Sequence, residues 1–138
     1  MFIVGLGNPG TEYENTRHNT GRMILDMFCQ KNDFPEWKED KKLKSLVSKK
    51  GKINLLLPET FMNKSGEAVA KVIKSKKAVE DLVLIHDDLD LPLGRFKISF
   101  NRGAGGHRGV QSIVKALKTE AFIRIRVGIA VATPSGKI

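Results

Sequence analysis

Leu82-Val83-Leu84-Ile85-His86-Asp87-Asp88-Leu89-Asp90 is the stretch on which the reading of the fold turns. Its four leading residues form a short continuous apolar run, as expected for a central strand buried on both faces. The run empties into histidine and aspartates. In open α/β sheets the functional crevice lies beyond the carboxyl ends of the strands, so chemistry is expected at this exit.

The pattern extends in both directions. Upstream, Ala68, Val69, Val72 and Ile73 fall at helical spacing, with Ser65 as a candidate cap. Residues 43–48 and 53–57 read as two strands joined by a hairpin at Lys49-Lys50-Gly51-Lys52. Met23, Ile24, Met27 and Phe28 mark an earlier helix that Thr20 or Asn19 could cap. Residues 1–6 are an apolar run stopped by glycine, a buried strand. Downstream, residues 95–100 read as a strand and residues 101–106 as a glycine-rich loop. Val110, Ile113, Val114 and Leu117 make one helix face. Ile123, Ile125, Val127, Ile129 and Val131 alternate strictly, as in a strand. Strands alternate with helices, and one hairpin interrupts the order. The expected fold is α/β: one three-layer αβα domain over residues 1–138, with a central mixed, mostly parallel β-sheet.

Composition narrows the function. The chain has 138 residues, 41% of them hydrophobic, which suits one packed core. No apolar run is long enough to cross a bilayer, and the start does not read as a signal peptide. The single cysteine, Cys29, excludes an internal disulfide and suggests a reducing cytoplasm. The net charge of +9 favours polyanionic partners.

Three loops leave apolar strands carrying polar residues. The first holds Asn8, Tyr13, Arg17, His18 and Asn19. The second holds Thr60, Phe61, Met62 and Asn63. The third holds His86, Asp87, Asp88 and Asp90. Brought together, they supply the parts of a general-base hydrolase. His18 is the candidate base, since an imidazole titrates near neutral pH. Asp87 is the candidate carboxylate that would fix its tautomer.

Other chemistries fit less well. Gly5-Leu6-Gly7-Asn8-Pro9-Gly10 matches the dinucleotide-binding G-x-G-x-x-G after a strand, and a dinucleotide-binding protein using Gly5, Gly7 and Gly10 is one alternative. That motif requires a helix to open at the glycines, whereas Thr11 to Thr16 show no apolar helical face. His18, His86 and His107 lack metal-ligand spacing, so no metal is expected. There is no Gly-x-Ser-x-Gly elbow, and Cys29 lies in a helix pattern.

Gly5-Leu6-Gly7-Asn8-Pro9-Gly10, Tyr13, Thr16-Arg17-His18-Asn19, Thr60-Phe61-Met62-Asn63-Lys64-Ser65-Gly66, His86-Asp87-Asp88-Leu89-Asp90-Leu91-Pro92 and Gly105-Gly106-His107 occur in one order and spacing. Together they resemble the bacterial-type peptidyl-tRNA hydrolase family, over residues 1 to about 129. The resemblance implies a cytoplasmic monomer without cofactor, acting on peptidyl-tRNA. It implies His18 as catalytic base and Asp87 as the aspartate that holds it. It implies Asn8 as the asparagine that distinguishes blocked from free aminoacyl-tRNA. Tyr13, Phe61 and Asn63 match residues around the tRNA 3′ end and peptide, and Met62 matches a hydrophobic neighbour. Asn63 could also hold the water or stabilise the oxyanion. Arg95, Lys97 and Arg126 fall where basic residues meet tRNA phosphates.

Two departures stand out. Arg108 replaces the family's asparagine after Gly-Gly-His; a guanidinium donates but cannot accept, and could grip a phosphate instead. The chain ends at Ile138, where the family continues with C-terminal helices, so an apolar sheet face is expected to be exposed. The main alternative function is a non-catalytic RNA-binding protein on the same scaffold.

Overall fold

The computed structural model describes residues 1–131. Seven strands form one sheet: β1 (Phe2–Gly5), β2 (Lys38–Asp40), β3 (Ser45–Lys50), β4 (Ile53–Pro58), β5 (Leu82–Pro92), β6 (Phe96–Phe100) and β7 (Ile123–Ala130). Their spatial order is β2-β3-β4-β1-β5-β7-β6. β4, β1, β5 and β7 pair in parallel, while β2-β3, β3-β4 and β6-β7 pair antiparallel. The expected mixed sheet is therefore present, with β3 and β6 alone opposing the common direction.

Four helices flank it: α1 (Thr20–Lys31), α2 (Ser65–Val72), α3 (Lys76–Glu80) and α4 (Arg108–Leu117). α1 packs on one face through Leu25 and Cys29 against Leu55, Leu57 and Ile85. α2, α3 and α4 cover the other, where Val69, Val79, Val110 and Ile113 meet Val4, Leu56, Leu82 and Leu84. Alternate residues of β4 and β5 enter opposite cores, which is why both strands are apolar along consecutive positions.

β2 and α3 have no counterpart in the sequence reading. β2 is a short polar edge, Lys38-Glu39-Asp40, without an alternating apolar signal. α3 is a five-residue helix capped by Ser75, whose Oγ accepts from the Ala78 amide. The helix caps also differ from expectation. Ser65 is the first residue of α2, and its hydroxyl donates to the Met62 carbonyl. Asn19 stands at the cap position of α1, but its side chain is engaged elsewhere.

The start of α1 rests directly on the sheet. The Arg22 amide donates to the Leu6 carbonyl, and the Leu6 amide to the Ile85 carbonyl. Gly21 makes this approach possible, because a methyl there would collide with the Ile85 carbonyl. Gly21→Ala is expected to destabilise the fold by about 3 kcal/mol. Urea unfolding checks it; an unchanged midpoint would show that the close approach is dispensable.

The alternation in β7 is real, but its two faces are not what apolarity alone suggests. Arg124 and Arg126 are buried on the α4 side, whereas Ile123, Ile125 and Val127 are only half-buried. These apolar residues share the α1 face with Phe96, Ile98 and Phe100 of β6, which are more than 60% exposed. Ile125 and Val127 still pack against the core on the α1 side, so the exposed apolar residues of this face are Phe96, Ile98 and Phe100 of β6. The expectation about the chain beyond Val131 lies outside the described residues.

Candidate active site

The strand ends of β1, β4 and β5 open into one cleft of about 630 Å³. It is lined by Asn8, His18, Phe61, Met62, Asn63, Asp87 and Arg108, among others. The three polar loops separated in sequence therefore converge.

Asp87 is not in a loop. β5 continues past Ile85, because β7 keeps pairing with it: His86 opposite Arg126, Asp87 opposite Val127, Asp88 opposite Gly128. The carboxylate is thus fixed on the sheet ladder, with its side chain 2% exposed. His18 sits on a short 3-10 turn, Arg17–Asn19, immediately before α1. Its Nδ1 lies 2.8 Å from Asp87 Oδ2, and its side chain is 62% exposed.

A second histidine holds the same carboxylate. His107 Nε2 is 2.8 Å from Asp87 Oδ1. His107 Nδ1 accepts from the Gly109 and Val110 amides, so it caps α4. Since Nδ1 is an acceptor there, the ring proton is on Nε2 and points at Asp87. Both carboxylate oxygens therefore accept. Burial works to raise the Asp87 pKa, but the bonds from His107 and His18 outweigh it and hold the carboxyl below its usual range. The sequence presents His107 only as part of a motif and as a poor metal ligand. Its coupling to Asp87 depends on the Gly105-Gly106 turn, with φ of 59° and 83°, which no side-chain pattern announces.

Asn19 and Asn8 lock two loops together. The Asn8 amide donates to Asn19 Oδ1 at 2.8 Å, and Asn19 Nδ2 donates to the Asn8 carbonyl at 2.9 Å. Asn8 Oδ1 accepts from the Met62 amide at 2.6 Å. With its oxygen bonded to the Met62 amide, the Asn8 side chain still has its Nδ2 N–H groups to offer the cleft. Asn63 is exposed, on the 3-10 turn Met62–Lys64. Tyr13 meets Phe61 edge-on, ring centroids 6.4 Å apart, and Phe61 is the one of the two that lines the cleft.

The basic residues separate. Arg95 and Lys97 are exposed beside or on β6. Arg126 is turned inward, its Nε 2.7 Å from Asp88 Oδ2. Arg108 opens α4 and is exposed at the cleft.

His86 is also in the wall, with Nδ1 bonded to the Asp87 carbonyl and its ring edge-on to His107. Burial, and secondarily the charge of His107, pushes its imidazole down from 6.5 to about 4. It is neutral at neutral pH. The unfolded chain takes up this proton first, so the stability His86 contributes above pH 6.5 is lost as the pH falls towards 4. The loss is expected to total about 3 kcal/mol. His86→Gln should flatten the stability profile in that window, as measured by urea melts at pH 7 and 4.5. An equally steep profile in the variant would assign the acid loss to other groups.

Gly5-Leu6-Gly7 does not open a helix; α1 begins only at Thr20. Gly5 instead serves the close approach of α1, since a Cβ there would lie 2.6 Å from the Gly21 carbonyl oxygen. Among the described residues no group of three or more His, Cys, Asp or Glu is placed to hold a metal ion. No helix among them is long and apolar enough to cross a membrane.

An exposed imidazole braced by a buried carboxylate, at the strand ends of an α/β sheet, is the arrangement a hydrolase uses to activate water. Known proteins sharpen that class. The family profile described as peptidyl-tRNA hydrolase matches residues 2–137. The chain is 46% identical to a peptidyl-tRNA hydrolase of Thermodesulfovibrio yellowstonii, over 94% of this chain and 71% of that protein. It is 44% identical to one from Brevibacillus brevis, over 99% and 74%. The crystal structure of peptidyl-tRNA hydrolase from Acinetobacter baumannii superposes with a TM-score of 0.87 at 34% identity, covering 97% of this chain and 70% of that one. The chain belongs to the peptidyl-tRNA hydrolase family.

Proposed function

We propose that this chain hydrolyses the ester that joins a peptide, or an N-blocked amino acid, to tRNA. One observation carries the reading: the 2.8 Å bond between His18 Nδ1 and Asp87 Oδ2 inside the cleft. The carboxylate accepts the Nδ1 proton and leaves Nε2 as the basic nitrogen. His18 Nε2 takes a proton from water as that water adds to the ester carbonyl. The tetrahedral intermediate collapses, the carbon–ribose oxygen bond breaks, and the ribose oxygen recovers the proton from His18. The products are a carboxylic acid, which ionises by releasing its proton to solvent, and a tRNA with a free terminal hydroxyl.

The remaining residues have roles that follow from their placement. The Nδ2 N–H groups of Asn8 suit the carbonyl of a blocked amino group or the developing oxyanion. Asn63, exposed and unengaged by other side chains among the described residues, serves the water or that oxyanion. An oxyanion donor of this kind contributes about 3 kcal/mol. Tyr13 and Phe61 offer an aromatic surface for a base of the 3′ end, with Met62 beside it. Arg95 and Lys97 supply solvent-facing charge for phosphates, while Arg126 serves mainly to steady Asp88.

The test is cleavage of N-acetyl-aminoacyl-tRNA beside its unblocked counterpart. Release from the blocked form alone is expected. Binding of both without cleavage of either would favour the RNA-binding reading.

A further inference from the structure

The cleft has a second chemical character. Arg102, Arg108 and Arg124 line it together with the histidines. Arg124 is 1% exposed, in β7, with its guanidinium 4.6 Å from the Phe122 ring centroid. Its Nη atoms donate to the carbonyls of Gly103 and Glu120, and its Nε has no partner among the described residues. Among those residues no carboxylate comes within 4.0 Å of it; the Glu120 carboxylate acts on it only from farther away. Its neighbour Arg126 is neutralised by Asp88, which makes the contrast local. Taking an unpaired cation out of water costs several kcal/mol.

Two further guanidiniums add to this unbalanced charge. Arg102 raises the positive potential at Arg124, and neither Arg102 nor Arg108 has an ion pair among the described residues. Arg108 is moreover the first residue of α4, where the helix dipole disfavours a cation. Folding gains nothing from three such charges around one cleft. An arriving anion relieves all of them.

We propose that these arginines form a subsite for one phosphodiester of the substrate's single-stranded 3′ terminus. Arg102 and Arg108 grip the phosphate oxygens, and Arg124 supplies a fixed positive charge behind them. The inference rests on the hydrolase reading and deepens it: the ester lies at His18 while a backbone phosphate lies at the arginines. A guanidinium fork matches phosphate geometry, and phosphates are the anions every tRNA end carries whatever peptide is attached.

The probe is the trinucleotide CCA with natural linkages, beside the same trinucleotide with uncharged methylphosphonate linkages. Both are titrated calorimetrically into the full chain. The charged form is expected to bind about tenfold more tightly. The double variant Arg102→Ser, Arg108→Asn should erase that preference. It should also flatten the logarithmic salt dependence by about 0.7 for each phosphate no longer gripped. Both positions are exposed, so the variant does not open the core. Equal affinity for the two trinucleotides, or a preference that survives in the variant, would overturn the subsite. The trinucleotide carries no ester, so the outcome is separable from catalysis. Charge-dependent binding without cleavage of blocked tRNA sinks the reaction alone. Cleavage with charge-blind binding sinks the subsite alone.

Discussion

His18→Ala is expected to lower turnover of a blocked aminoacyl-tRNA by about 10³-fold, with tRNA affinity within about twofold of the parent. The size follows from removing the group that takes the water's proton. The selectivity follows from the structure. The His18 side chain is largely exposed and bonded to Asp87 through Nδ1, so its loss leaves no cavity in either core. Single-turnover cleavage and filter binding on the same preparation separate the two quantities. Turnover near the parent rate would remove His18 from the chemistry.

Asp87→Asn is expected to cost more, on the order of 10³ to 10⁴ in turnover, and for a reason that can be observed directly. Both oxygens of Asp87 accept from a histidine. An amide has one oxygen and one donor group, so one histidine must face an N–H. His107 cannot adapt, because its Nδ1 is committed to the Gly109 and Val110 amides. The amide oxygen therefore turns to His107 and the amide N–H to His18. His18 must then accept at Nδ1, which moves its proton to Nε2, the nitrogen that should be the base. Nitrogen NMR of the histidine rings reports that tautomer. A variant that is inactive but still carries its proton on His18 Nδ1 would refute the explanation. In the parent, the depressed Asp87 carboxyl keeps this arrangement ionised at neutral pH. Its contribution to stability is present above the ordinary value of 3.8 and is lost as the pH falls through the lower folded value.

The layers of the fold are legible in the sequence wherever burial imposes a period. β5 announces itself by four apolar residues, α4 by Val110, Ile113, Val114 and Leu117, and the β3–β4 hairpin by its Lys-Lys-Gly-Lys turn. What escapes is governed by partners distant in sequence. Polar residues 86–88 read as part of a loop by composition, yet β7 supplies the ladder bonds that keep them extended. The arginines of β7 sit where a period-2 reading places solvent, because a cleft and not bulk water lies on that side. The candidate site is legible in its parts, His18, Asp87, Asn8 and Asn63. The second hold on the carboxylate is not, since it requires a glycine turn to aim His107 backwards at the strand.

The bare strip of Phe96, Ile98 and Phe100 has a practical consequence in a molecule carrying a net charge of +9. In dilute buffer, mutual repulsion keeps copies apart and their oily flanks apart with them. At 1 M salt that repulsion reaches only about 3 Å, and attraction between the flanks becomes the stronger force. Salting therefore weakens the grip on a polyanion and promotes clumping at once. Handling and assay alike belong at low ionic strength.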